Sequence, residues 1–289
     1  MDERAALALI DETLPAAGDD AAVVGSLVVT TDMLHESTDF PAGTTRYTAG
    51  WRAVGASLSD VAAMGARATA AVAVYGAPAF DPEELSAFLR GARDVCADAG
   101  AEYVGGDLDG HDEFTVATTA LGETEAPVLR SGATPGETVC VTGTLGRSGA
   151  AVRLFPNAPE RANDLFRFSP RVAAGLAVAP RAGAMMDSSD GLARSLHQLA
   201  EASDCGFRVE YDALPVDGSV RDLADDPDDE RDLALYFGED FELVFTTDDP
   251  EAAREASPTP VSEIGTVTEG GEGVRLDGEA LPDRGFTHN

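Results

Sequence analysis

The stretch Arg130-Ser131-Gly132-Ala133-Thr134-Pro135-Gly136 decides how this chain is divided. Its glycines, proline and hydroxyl residues cannot continue a helix or a central strand, and strand patterns flank it on both sides. A boundary is expected here, giving one domain over residues 1–132 and a second over 133–289. With 289 residues and 44% hydrophobic side chains the chain is long enough to bury two ordinary cores.

Working back from the boundary, Phe114 to Leu121 and the segment near Tyr103 read as strands. The segment Asp81-Pro82-Glu83-Glu84 is a helix start, with a capping aspartate, proline at the first position and an acidic first turn. Leu85, Phe88, Leu89, Ala92 and Val95 continue that helix and Gly100 stops it. Thr69 to Tyr75 and Leu27 to Thr31 read as strands. Between them, Thr45 to Gly65 is helical, since Val54, Leu58 and Val61 recur at helical spacing and Gly65 stands where a C-terminal glycine belongs. Trp51 on this helix reads as core or interface rather than as a stacking platform.

Forward from the boundary a second alternation begins. Thr138 to Thr142 is a strand, followed by the glycine-spaced TGTLGRSG, a helix entered at Ser169-Pro170, a strand ending at Met186, a helix from Gly191 to Ser203 and a strand from Phe207 to Tyr211. The acidic stretch Leu223 to Asp232 reads as a solvated loop. Both halves mix helix and strand, so the fold class is α+β.

The formal charge of -32 repels phosphate backbones and anionic lipid headgroups, which excludes nucleic acid and membrane as partners. All 20 basic residues are arginine, a composition that fits a halophile's solvated acidic surface and removes the lysine of a Schiff base or a Walker A loop. No apolar run is long enough to span a bilayer and the opening residues are acidic where a secretory signal is basic, so a cytoplasmic location is expected. Cys96, Cys140 and Cys205 are too far apart in sequence to suggest a disulfide framework or a zinc site.

Because Asp and Glu total 52, most acidic residues here are solvated surface. Six places differ, because their carboxylates sit among glycines or at the ends of apolar strands, where burial without a partner is costly. They are Gly18-Asp19-Asp20, Thr30-Thr31-Asp32, Asp60 beside Ser57 and Ser59, Gly105-Gly106-Asp107, Asp187-Ser188-Ser189-Asp190-Gly191, and Gly238-Glu239-Asp240-Phe241-Glu242. Hard oxygen ligands gathered from several strand ends, without histidine or thiolate, suit Mg²⁺ carrying a polyphosphate. A calcium loop beginning at Asp187 is excluded, since its twelfth position is Gln198.

The strings GDDAA (18–22), TTDML (30–34), GASLSDVAAMGA (55–66), GGD (105–107), RSGATPGE (130–137), VTGTLG (141–146), DSSDGL (187–192) and GEDFEL (238–243), in that order, resemble the thiamine-monophosphate kinases. The resemblance spans nearly the whole chain. It implies two mixed α/β domains of the aminoimidazole ribonucleotide synthetase-like type, the N-terminal one pairing with a second copy in a homodimer. It implies transfer of phosphate from ATP to thiamine monophosphate with Mg²⁺. Under the resemblance Asp20, Thr30, Thr31, Asp32, Asp60, Asp107, Asp187 and Asp190 are the metal shell. Gly106, Asp107, Arg130 and Ser189 contact ATP, and Glu239 and Phe286 contact the thiamine moiety. Asp60, Asp107 and Arg130 are the expected catalytic residues. Where many members carry a histidine before a phenylalanine this chain has Asp39, which takes that substrate position.

A phosphate monoester with a second pKa of about 6 is largely ionised at neutral pH and needs no strong general base. That agrees with a chain holding four histidines, none beside a serine or cysteine arranged as a nucleophile. Two other readings stay open on the residues alone: another ATP-dependent synthetase of the same fold, and a non-catalytic binder of nucleotide or thiamine phosphate.

Overall fold

The computed structural model describes Ile10, Thr13, Leu14 and residues 18–286. Its N-terminal half is built on strands β1 (Ala22–Val24), β2 (Leu27–His35), β3 (Arg67–Ala77), β4 (Glu102–Gly110) and β5 (Thr115–Glu123), with a single helical turn α1 (Glu36–Asp39), and on helices α2 (Arg46–Ala63) and α3 (Pro82–Asp98). The strands form one sheet in the order β1-β2-β5-β3-β4, with β3 and β4 parallel and the other pairs antiparallel.

Helix α2 starts where Thr45 accepts from the Thr48 amide, and Gly65 beyond its end takes a left-handed φ of +61°. Asp81 caps α3 by accepting from the Glu83 and Glu84 amides, with Pro82 at the first position. The two helices approach at glycines: a Cβ on Gly91 would lie 2.0 Å from the Tyr47 carbonyl oxygen and one on Gly50 2.3 Å from that of Phe88. Val28, Leu58, Tyr75, Phe88, Phe114 and Val116 fill the core between these helices and one face of the sheet. Trp51 packs against that core, and its indole N–H donates to the Phe168 carbonyl.

The C-terminal half contains β6 (Thr138–Thr142), α4 (Arg147–Leu154), α5 (Pro159–Phe166), α6 (Val172–Val178), β7 (Ala182–Asp187), α7 (Leu192–Ser203) and β8 (Cys205–Val209). It continues with α8 (Gly218–Leu223), α9 (Pro227–Tyr236), β9 (Leu243–Thr247), α10 (Pro250–Ala256), β10 (Val261–Glu269), β11 (Val274–Leu276) and β12 (Glu279–Ala280). The seven strands run in the order β12-β11-β8-β10-β6-β9-β7, so β7 lies at an edge. Leu192, Leu196 and Leu199 of α7 pack with Val141, Phe207, Val209 and Ile264 in a second core.

Three expectations need correction. The acidic stretch 223–232 is not a loop: α8 ends at Leu223, and α9 begins at Pro227 where Asp226 accepts from the Asp228 and Asp229 amides. Its charges lie at a helix N-terminus, which favours them, in the same aspartate-proline-acid signature that marks α3. The helix placed at Ser169-Pro170 begins at Val172, and the helices α4 and α5 precede it. The strand read from Phe207 to Tyr211 runs two residues earlier, over Cys205–Val209.

Candidate active site

The strand β2 alternates, and its alternation sorts the TTD motif. Thr30 and Asp32 face α2, where the Thr30 hydroxyl donates to Asp60 Oδ2 at 2.5 Å and Asp32 accepts from the Ser57 hydroxyl at 2.5 Å. Thr31 points to the other face, where its hydroxyl donates to the Thr118 carbonyl. Helix α2 carries Ser57, Ser59 and Asp60 across to the second sheet, and the Ser59 hydroxyl donates to Asp187 Oδ2 at 2.6 Å, at the end of β7.

The result is a trio. Asp20, Asp60 and Asp187 each offer a carboxylate oxygen, and these oxygens lie within 4.8 Å of one another. Burial, then repulsion from Asp32, Asp187 and Asp20, holds the Asp60 carboxyl well above the usual carboxylate range. Burial and the Asp20 charge push Asp187 up to about 7, against the pull of hydrogen bonds from Ser59 and Ser189. One cation answers this charge directly: the Arg130 Nε and Nη2 atoms donate to the two Asp20 oxygens at 3.2 and 3.0 Å, while the Arg130 amide donates to Asp19 at 2.6 Å. Burial opposes the Arg130 charge, but Asp20 outweighs it and raises its pKa. Among the described residues, the other two carboxylates of the trio have no such cationic partner at hydrogen-bonding distance. Hard, crowded oxygen donors short of positive charge are the donor set of a Mg²⁺-class ion, so the residues present fit that group.

Beside the trio, the 238–242 loop runs against the Ser189–Gly191 turn, and the Glu239 amide donates to the Ser189 carbonyl at 2.6 Å. Glu239 and Phe241 both hold left-handed backbone, with φ of 63° and 54°. Three acids anchor this loop to three places. Glu239 is ion-paired with Arg52 of α2, Asp240 accepts from the Gly146 and Ser148 amides at the start of α4, and Glu242 accepts from Arg171 through both oxygens. Burial pushes Asp240 up to about 7 despite its two backbone donors.

Family models match along most of the chain: the AIR synthase related protein N-terminal domain over residues 18–124 and the corresponding C-terminal domain over 134–277. The thiamine-monophosphate kinase of Halobacterium salinarum is 62% identical over the full length of both chains. That of Methanospirillum hungatei is 41% identical, covering 94% of this chain and 93% of its own. The chain belongs to the thiamine-monophosphate kinase family. A solved structure of AaThiL complexed with AMPPCP and TMP superposes with a TM-score of 0.88 at 30% identity, covering 100% of this chain and 97% of that one. Hydrogenase maturation protein HypE, at 23% identity and a TM-score of 0.72, shares the fold.

The other residues expected from the resemblance to this family are distributed as follows. Asp107 is exposed on the edge strand β4, in register with Val74 and hence on the sheet face opposite α2, apart from the trio. Gly106 is a glycine for packing reasons, because a Cβ there would lie 1.8 Å from the Ala73 carbonyl oxygen. Ser189 donates its amide to Asp187, and the Asp190 carbonyl accepts from the Phe286 amide at 3.0 Å, which brings the chain's last described residue to the same turn. Asp39 accepts from the His35 amide and the Thr38 hydroxyl, both at 2.7 Å, beside its own helical turn. Arg52 and Arg171 were not among the residues singled out from sequence, and Asp240 and Glu242 were noted only as members of the 238–242 motif, without a role. The one signal available was an arginine set among the small and apolar residues of α2.

Proposed function

We propose that this protein transfers the γ-phosphoryl group of ATP to the phosphate of thiamine monophosphate, giving ADP and thiamine diphosphate. The observation that carries this reading is the Asp20-Asp60-Asp187 trio beside Arg130, in a fold shared with AaThiL complexed with AMPPCP and TMP. In the transfer, the bond from the γ-phosphorus to the bridging oxygen of ADP breaks and a bond to an acceptor phosphate oxygen forms. That acceptor oxygen is already ionised at neutral pH, so the chain supplies position and charge rather than a base.

Asp20, Asp60 and Asp187, with Asp32 and Thr30 adjoining, are the residues that would hold Mg²⁺. An ion held by them would supply positive charge against the phosphate oxygens. Arg130 offers a planar fork of donors to phosphate oxygens. Ser189, Gly106 and Asp107 are assigned to the nucleotide, and Glu239, Phe286 and Asp39 to the acceptor. Asp190 positions the Phe286 segment through its carbonyl, and Thr31 and Asp107 belong to the opposite sheet face.

That opposite face supports the homodimer: Met33, Val72 and Val74 stand exposed on it, and a second copy packed there would cover them and enclose Asp107. The division of labour follows the boundary near residue 132, with the N-terminal part supplying most of the metal and ATP residues and dimerising, and Asp187 and Ser189 joining them from the C-terminal part. No helix among the described residues is long and apolar enough to cross a membrane, in keeping with a cytoplasmic biosynthetic role. The test is ADP release from ATP and Mg²⁺ at molar KCl with thiamine monophosphate, thiamine or no acceptor, and the organic product identified by mass. Thiamine diphosphate formed from the monophosphate alone is expected; ADP release without it would overturn the reading.

A further inference from the structure

We infer that Arg52 is a positioning residue for the acceptor: it holds the Glu239 carboxylate in place, so that the substrate's heteroaromatic end meets Glu239 at a set distance from the carboxylate trio. The inference rests on the proposed function and deepens it.

Arg52 is a fully buried cation, 1% exposed, on a helix otherwise made of small and apolar residues at its buried positions. Its Nη2 atom donates to Glu239 Oε2, and its Nη1 atom donates to the Phe166 carbonyl. The guanidinium lies 3.6 Å over the Phe166 ring, with Phe168 and Phe241 at 5.2 and 5.7 Å. Those last two rings stack on each other at 4.1 Å. A planar, delocalised cation suits this aromatic surround, whereas an ammonium is a point charge that must be solvated.

Stability does not account for the arrangement. Arg52 Nε finds no hydrogen-bond partner among the described residues, and a buried ion pair seldom improves on an apolar contact of the same volume. Glu239, in turn, holds a left-handed backbone that an L-residue adopts only at a cost. Backbone bonds on both sides lock it: its amide donates to the Ser189 carbonyl, and its carbonyl accepts from the Ser148 hydroxyl at 2.6 Å. Strain of this kind, held by a buried cation, aims one side chain.

The aim leaves something free. Arg52 occupies Oε2, while Oε1 has no hydrogen bond among the described residues and the side chain is 20% exposed. Because Arg52 neutralises the pair, Glu239 recognises its ligand through a directed acceptor oxygen, matched to an amino N–H donor on the substrate's aminopyrimidine ring. Helix α2 also fixes the separation. Asp60 follows Arg52 by eight positions, a rise of about 12 Å along one rigid element. One helix therefore sets both the reacting end and the recognised end of the acceptor.

The test uses the full chain with Arg52→Lys, Glu239→Gln and the double variant, measuring KM for each substrate and titrating thiamine monophosphate by calorimetry. Loss of one aimed, charge-assisted hydrogen bond predicts a rise of about tenfold in KM and in the calorimetric Kd for thiamine monophosphate, with the ATP KM changed less than about twofold. The double variant is expected to be no worse than Glu239→Gln alone, because both act through one carboxylate. A purely structural arginine would lower the melting temperature and the active fraction while leaving the acceptor KM of the folded fraction unchanged. That result, an equal rise in both KM values, or additive effects would overturn the inference. If the wild-type chain bound thiamine monophosphate but made no diphosphate, the functional reading would fail, and the calorimetric comparison of the variants would still decide the role of Arg52.

Discussion

Replacing Asp60 by asparagine separates the stability of this site from its chemistry. The Asp60 oxygen lies within 4.8 Å of oxygens from both Asp20 and Asp187. At an effective dielectric constant of about 20, each like-charge pair at that distance costs about 3–4 kcal/mol when both are ionised. Burial first, and this repulsion second, hold Asp60 and Asp187 above the usual carboxylate range, so the cluster relieves part of the cost by retaining a proton. Asparagine keeps the shape and can still accept from Thr30, but removes the charge, so the metal-free protein is expected to gain about 1–2 kcal/mol. In a chain of this size that gain raises the melting temperature by about 2–8 °C. The same change takes a carboxylate from the proposed Mg²⁺ ligands. The added stability conferred by Mg²⁺ should shrink, and turnover should fall by about 100-fold or more. Thermal melts at molar KCl with and without Mg²⁺, paired with steady-state turnover, read both effects. A variant that melts lower without metal, or that keeps near-normal turnover, would refute the reasoning.

Other expectations follow from the same geometry. Arg130→Ala should mainly raise the KM for ATP, with the acceptor KM nearly unchanged; a rise confined to the acceptor would reassign the arginine. Asp187 and Asp240 are both raised to about 7, so between the ordinary aspartate value and pH 7 the folded state binds more protons than the unfolded one. Their contribution to stability is therefore fully present at acid pH and lost as pH rises through 7, by about 1.4 kcal/mol per pH unit for each group within that window. Melts of metal-free protein from pH 5 to 8 check the sign, and adding Mg²⁺ should flatten the part due to Asp187. Val74→Asp on the open sheet face should convert the proposed dimer to monomer in light scattering at high salt, whereas an unaltered dimeric mass would place the interface elsewhere.

Much of the fold was legible because its signals are local. Asp81 with Pro82 marks α3, Gly65 ends α2, and the turn residues from Arg130 to Gly136 separate two sheets. The segment after Asp226 carried the same capping signal, yet the density of charge there drew the reading toward solvated loop; α9 shows the cap to be the stronger signal. The order of motifs along the chain was also enough to recognise the family.

The sequence by itself determined which carboxylates are unusual, since an aspartate at the end of an apolar strand or between glycines stands out from a solvated face whatever the fold. Only the tertiary structure decided which of them meet. Strand alternation sends Thr30 and Asp32 to one face and Thr31 to the other, but nothing local says which face α2 will cover. Asp60 joins Asp187 because the Ser59 hydroxyl reaches a partner 128 positions away, and Arg52 finds Glu239 across 187. Propensities and caps act within a few residues, whereas these pairings depend on how the two sheets pack together around one helix.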